Sequence, residues 1–232
     1  MIIGIVGGMG SVATAEYFYE IIKSFPAEKE WERPRIIIDN RCDMPSRVRG
    51  ILYGEQVDEI VNALSESIKM MYDAGCDYIV LACNTSHYYL KTIIKNHPEY
   101  RGKIVHIIDL LTKRLVADGH RKVYLMATEG TYLSRIYDNS FSEFGITYPE
   151  VLPEDEKQIR DFIEAVKQVK ITDEIKLKFV DFVNSREEDV VVLGCTELPV
   201  IYRACADRIE KRVYDPLEET TAFFKKMYKD KR

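Results

Sequence analysis

Asp77-Tyr-Ile-Val-Leu-Ala-Cys83-Asn-Thr85 and Asp189-Val-Val-Val-Leu-Gly-Cys195-Thr-Glu197 are two versions of one pattern. Each passes from an aspartate through an apolar run to a small residue, a cysteine and then hydrogen-bonding side chains. Near-continuous β-branched and aliphatic runs of this length suit strands buried on both faces of a parallel sheet. The cysteine then falls at the strand's carboxyl end, where open α/β sheets bind their ligands. Two such units predict two thiols delivered to one place.

Apolar runs and amphipathic segments alternate along the rest of the chain. Strands are predicted over residues 2–6, 35–39, 78–82, 104–107, 122–127, 190–194 and 212–214. Helices are predicted over 13–24, 55–74, 90–95, 110–117, 132–144, 156–168, 175–185 and 215–228. Asp73-Ala-Gly75 and Glu143-Phe-Gly145 read as helix stops. Strand, helix and strand in succession imply parallel pairing through crossovers. The halves also match in their turns, since Gly8-Met-Gly10-Ser11 after the first strand corresponds to Thr128-Glu-Gly130-Thr131 after the strand near Val123. The expected fold is therefore α/β. It has two similar Rossmann-like lobes with parallel sheets, a pseudo-twofold axis and a site in the cleft between them. Residues 1–98 plus 214–232 are expected to form the first lobe and 99–213 the second, with the last helix returning to the first.

The 232 residues suffice for a full core, and 46% hydrophobic with 31% charged content is that of a globular chain. A net charge of −5 offers no attraction to nucleic acid or to an anionic membrane. The basic tail over 229–232 reads as a solvated helix end. No segment resembles a signal peptide or is long enough to span a bilayer, so a cytoplasmic location is expected. Five cysteines without close pairing argue against a disulfide framework or a structural zinc site.

Gly8-Met-Gly10-Ser-Val-Ala13 fits the G-x-G-x-x-A form of a dinucleotide fingerprint, with Asp39 as a ribose ligand. Asp39 lies further along than the usual spacing of about 20 residues. The same residues also describe a tight strand-to-helix turn that a ligand approaches closely. Cys42, Cys76 and Cys205 read as small buried hydrophobes. At Cys83 and Cys195 a following helix N-terminus is expected to lower the thiol pKa from about 8.5. Asn84, Thr85 and Thr196 then serve as helix caps or as anion donors. Cys83 and His87 do not by themselves make a metal site, and His87 is assigned to packing or support.

Taken in order, Gly7-Gly-Met-Gly10 with Ala13-Thr14, Ala82-Cys-Asn-Thr85 with His87, Ala127-Thr128 with Gly130-Thr131, and Leu193-Gly-Cys-Thr-Glu-Leu-Pro199 resemble the aspartate/glutamate racemase family. Glu197 resembles the aspartate branch, glutamate racemases tending to carry histidine there. Hydantoin racemases, maleate isomerases and arylmalonate decarboxylases share the fold, and the presence of both cysteines favours racemisation over one-thiol chemistry. The resemblance implies an isomerase that uses neither pyridoxal phosphate nor any other cofactor, binds no metal, and forms a homodimer.

It implies a two-base mechanism with Cys83 and Cys195 as catalytic residues, because one base does not readily serve both faces of Cα. It also implies that Asn84, Thr85 and Thr196 bind the α-carboxylate beside the Gly8, Met9 and Gly10 turn and Thr128. Arg47, and behind it Lys167, would take a side-chain carboxylate. Ser11, Ser86, Ile163 and Val169 depart from the family pattern near the expected rim. They leave the proton-transfer machinery intact and weaken the choice of aspartate over glutamate or another amino acid, with aspartate preferred. A dinucleotide-binding oxidoreductase and a non-catalytic amino-acid-binding protein remain as alternatives.

Overall fold

The computed structural model describes residues 1–229, so residues 230–232 of the expected basic tail lie outside the described residues. Strands β1 (Ile2–Gly7), β2 (Arg35–Asn40), β3 (Tyr78–Leu81) and β4 (Ile104–Val105) form one sheet in the order β2-β1-β3-β4. Strands β5 (Tyr124–Met126), β6 (Val190–Leu193) and β7 (Arg212–Tyr214) form a second in the order β5-β6-β7. The pairings in both are parallel.

The two sheets are copies of unequal length. Where β2 lies beside β1, the second sheet has a single parallel bridge between Lys122 and Thr147. There Val123 N–H donates to the Thr147 carbonyl at 3.0 Å, and Thr147 N–H to that of Arg121 at 2.9 Å. With β1 matched to β5, β3 to β6 and β4 to β7, the expected two-lobed α/β architecture is what forms. By sheet membership β4 extends the first lobe past the expected boundary at 98, and Tyr214, expected in the returning segment, ends β7 of the second sheet.

Helices α1 (Ser11–Ser24), α2 (Arg47–Tyr53), α3 (Val57–Asp73) and α4 (Leu90–Asn96) accompany the first sheet. Then come α5 (Ile107–Ala117), α6 (Glu129–Ser134), α7 (Ile136–Glu143), α8 (Pro153–Lys167), α9 (Asp173–Asn184), α10 (Leu198–Arg203) and α11 (Pro216–Lys229). Strand side chains alternate between cores, as the period of two requires. Ile79 and Leu81 face a cluster with Leu64 and Ile68 of α3, whereas Val80 and Ala82 face the opposite way. Val191 and Leu193 join Phe162 and Phe179 of α8 and α9, and Val190 and Val192 point away from them. The inward sets of both sheets meet in one shared core that also takes Leu111 of α5, Tyr137 of α7 and Phe224 of α11. The two lobes are therefore joined by continuous apolar packing.

Several elements differ from expectation. Helix α2 was not anticipated, and the stretch predicted as one helix over 132–144 is two, because Arg135 adopts a left-handed φ of 52°. Helices α5 and α8 start earlier than 110 and 156. His106 caps α5 by accepting from Asp109 N–H, and α8 opens on Pro153 followed by three acidic residues.

Candidate active site

Cys83 follows β3 after Ala82, and Cys195 follows β6 after Gly194. The small residue in each motif has a packing reason that is explicit at Gly194, where a Cβ would lie 2.8 Å from Leu125 Cδ1 and 3.0 Å from the Met126 carbonyl oxygen. Both cysteines line the same cavity, of about 50 Å³. Met9, Arg47, Asn84, Thr85, Thr128, Lys167 and Thr196 lie on its wall. Gly8 and Gly10 do not. They line an adjoining space of about 230 Å³ that has Lys167 and Glu197 in its wall. Gly8 is glycine by necessity, since its φ is +80° and a Cβ would come within 2.5 Å of the Arg41 backbone.

The glycine turn is tied to the second lobe by Glu197, which is only 1% exposed. Glu197 Oε1 accepts from Gly10 N–H at 3.0 Å, while Oε2 accepts from the Cys195 thiol at 3.0 Å and from the Thr196 hydroxyl at 3.3 Å. A carboxylate of the protein thus already holds the N–H that a dinucleotide pyrophosphate would need. Asp39, the candidate ribose ligand, accepts from Ser67 at 2.6 Å.

The expectation of an acidic thiol fails at Cys195. Burial, and then the negative charge and hydrogen bond of Glu197, push its pKa well above the ordinary value, with Lys167 opposing them. The helix counted on to lower it, α10, starts only at Leu198 and has six residues. Cys195 is therefore a thiol at neutral pH.

Around Cys83 the polar side chains are cross-linked between lobes. Asn84 has no capping hydrogen bond. Its Oδ1 accepts from the Tyr137 hydroxyl of α7 at 2.6 Å, and its Nδ2 is buried without a partner. The hydroxyls of Thr85, Thr128 and Thr131 stand 3.1 Å from one another, joining the end of β3 to the cap of α6. Arg47 opens α2 and is anchored by its own loop, Nη1 donating to the carbonyls of Met44 at 3.1 Å and Pro45 at 2.7 Å. Its Nε is buried without a partner. Both residues line one small cavity, and a buried donor without a partner is costly unless an acceptor arrives, each at about 1–3 kcal/mol.

Lys167 ends α8 and donates to Glu164 at 2.9 Å with its side chain 41% exposed. Burial opposes its charge, yet the Glu164 hydrogen bond with Glu197 and Cys195 nearby holds its pKa above the ordinary lysine value. His87 supports the backbone. Its Nδ1 donates to the Cys83 carbonyl at 2.9 Å and Nε2 accepts from Ile107 N–H at 3.5 Å, a neutral tautomer in keeping with a pKa pushed down to about 3 by burial and then by His106. Among the described residues no group of three or more metal-ligating side chains occurs. Cys76 and Cys205 are buried as expected, but Cys42 is exposed. The sequence reading left Glu197 and Tyr137 out of the candidate site. Glu197 carried a signal, an acid two residues after a strand-end cysteine, whereas Tyr137 carried none because its partner is 53 positions away.

Two parallel α/β lobes, each presenting a cysteine from a central strand to one buried cavity with orphaned donors, define a class of cleft enzymes with paired thiols. A family model described as Asp/Glu/Hydantoin racemase matches residues 6–223, and the chain belongs to that family of isomerases. The broad specificity amino-acid racemase RacX of Bacillus subtilis strain 168 is 25% identical over an alignment of 231 positions that covers 95% of this chain and 93% of that protein. The aspartate racemase of Picrophilus torridus superposes with a TM-score of 0.81 and 28% identity, covering 98% of this chain and 94% of that one. Glutamate racemase RacE1 of Bacillus anthracis shares the fold, with a TM-score of 0.65 and 18% identity over 100% of this chain and 82% of its own. Among the described residues no helix is long and apolar enough to cross a membrane.

Proposed function

We propose that the chain is a cofactor-independent racemase of acidic amino acids, aspartate before glutamate, with Cys83 and Cys195 as its two bases. The observation that carries this reading is the shared cavity, lined by both cysteines and by two residues with buried unpaired donors, Arg47 through Nε and Asn84 through Nδ2. In one direction the Cys83 thiolate takes the Cα proton and becomes a thiol. The electron pair left on Cα spreads into the α-carboxylate, and the Cys195 S–H returns a proton to the opposite face, leaving a thiolate there. The opposite enantiomer runs the same steps in reverse. Negative charge growing on the α-carboxylate is met by the Asn84 amide N–H and by the hydroxyls of Thr85 and Thr128 as they turn from one another toward it. Arg47 takes the side-chain carboxylate, with Lys167 at the wall behind.

A cavity of about 50 Å³ is small beside the roughly 300–1,000 Å³ of ordinary ligand pockets, so substrate enters an opened form of the site that then closes on it. The homodimer and the cytoplasmic location belong to the same proposal. Five free cysteines suit a reducing compartment, and a sedimentation mass of one chain would refute the dimer alone.

The test is incubation of purified protein with L-aspartate and with L-glutamate in deuterated buffer without added cofactor. Deuterium at Cα with loss of optical rotation is the expected result. Binding without exchange would leave an amino-acid-binding protein, and exchange that requires a nicotinamide would leave an oxidoreductase.

Glu197 sets a pH dependence. Turnover of the enantiomer that needs Cys195 as base rises as that thiol ionises, and Glu197 delays the rise because its charge and hydrogen bond favour the S–H form. Glu197→Gln removes the charge, so the Cys195 pKa falls and the rise moves to lower pH for that enantiomer. The difference in thiolate ultraviolet absorbance between Cys83→Ala and Cys83→Ala/Cys195→Ala follows the same group directly. An unmoved profile, or one moved to higher pH, contradicts the assignment.

A further inference from the structure

Tyr137 is 1% exposed and lies in the second lobe, yet its hydroxyl donates to Asn84 at the end of a first-lobe strand. The break at Arg135 makes this reach possible. A left-handed residue separates α7 from α6, so the face of α7 bearing Ile136, Tyr137 and Phe141 is set independently of the turn that places Thr128 and Thr131. The ring is held edge to face against Phe141 with centroids 5.2 Å apart, and Ser140 of the same helix is hydrogen-bonded to Asp109 of α5.

An asparagine amide has an accepting end and a donating end, and only the donating end suits a carboxylate. With Oδ1 toward Tyr137, the phenol proton has its acceptor and Nδ2, on a residue that lines the cavity, is left without a partner. Turned over, the amide would point its oxygen at the carboxylate and leave a buried phenol proton without an acceptor. Both faults act in the same direction. Burial keeps the Tyr137 pKa well above 10, so the phenol remains a donor at every pH at which the protein works.

We propose that Tyr137 is a positioning residue of the amino-acid site, fixing the Asn84 side chain so that its N–H groups receive the substrate α-carboxylate. This rests on the racemase reading for the identity of the ligand but concerns a different group. Tyr137→Phe keeps the ring and removes the donor. The expected result is a fall of about 10- to 100-fold in kcat/KM for aspartate, the size of one hydrogen bond to a charged group, with a drop of a few degrees in melting temperature as Asn84 Oδ1 loses its donor. Because Tyr137 acts through Asn84, its effect shrinks to about twofold or less in an Asn84→Ala background. A merely structural tyrosine would cost the same factor in both.

A second readout needs no turnover. The Asn84 side-chain amide resonance, identified by its loss in Asn84→Ala, is expected to shift when L-aspartate is added to the parent protein and not to shift in Tyr137→Phe at the same concentration. Full additivity of the two substitutions, or an unchanged shift in Tyr137→Phe, overturns the proposal. A parent that shows the shift but no Cα exchange refutes racemisation while leaving Tyr137 decided by the resonance. A parent with neither shift nor exchange, for aspartate and glutamate alike, overturns both.

Discussion

Cys83→Ala and Cys195→Ala should each reduce racemisation of aspartate by about 10³-fold or more, and the two variants should fail differently. A positioned acid or base contributes about 10²- to 10⁴-fold, and each alanine removes one that both directions of turnover require. Replacement of a thiol by a methyl group at these buried strand ends removes one atom beside an existing cavity, so the fold and amino-acid binding should survive. The remaining cysteine still faces Cα from its own side. It can withdraw a proton and return one to the same face, so deuterium should enter without inversion. In Cys83→Ala this exchange should occur in one enantiomer and in Cys195→Ala in the other. Exchange into the same enantiomer in both variants would place the thiols on one side of the substrate. Normal racemisation by either variant would remove that cysteine from the mechanism.

The lobes and their thiols were legible because each lesson was local. A parallel strand buried on both faces must be an unbroken apolar run, and Tyr78 to Ala82 and Val190 to Leu193 are such runs. The alternation within them, Ile79 and Leu81 against Val80 and Ala82, becomes meaningful only once two different cores exist to receive the two faces. Helix α2 had bracketing signals, with Ser46 accepting from Arg49 N–H at its start and Gly54 at φ 70° at its end. The glycine at position 50 masked them by weakening the helical reading.

The break at Arg135 carries neither glycine nor proline and could not be read, and with it went the orientation of Tyr137. Charge was the least legible property. The thiol pKa was inferred from a following helix, but Cys195 answers first to burial and then to a carboxylate that Gly10 holds in place from 187 positions away. Local sequence does not contain such a contact.

Arg47 gives the second large effect, and it is one of selectivity. The guanidinium is anchored through Nη1 by the carbonyls of Met44 and Pro45, so its free, buried Nε edge is presented at a fixed place instead of on a mobile stem. A carboxylate that reaches it gains a charge-assisted contact of about 1.5–3 kcal/mol, and a buried charge pair broken at one partner costs more, about 3–5 kcal/mol. Arg47→Leu is therefore expected to lower kcat/KM for aspartate by about 10²- to 10³-fold. Alanine, which has no side-chain carboxylate, has nothing to lose there and should keep its rate or gain. The ratio of the two substrates is the quantity to measure, because any loosening of α2 after removal of the Met44 and Pro45 bonds lowers both rates and cancels. Arg47→Lys retains the charge but not the fork, and its ratio should fall between parent and leucine variant. If the aspartate-to-alanine ratio is the same in all three proteins, the side-chain carboxylate is held elsewhere, and Lys167 becomes the residue to replace.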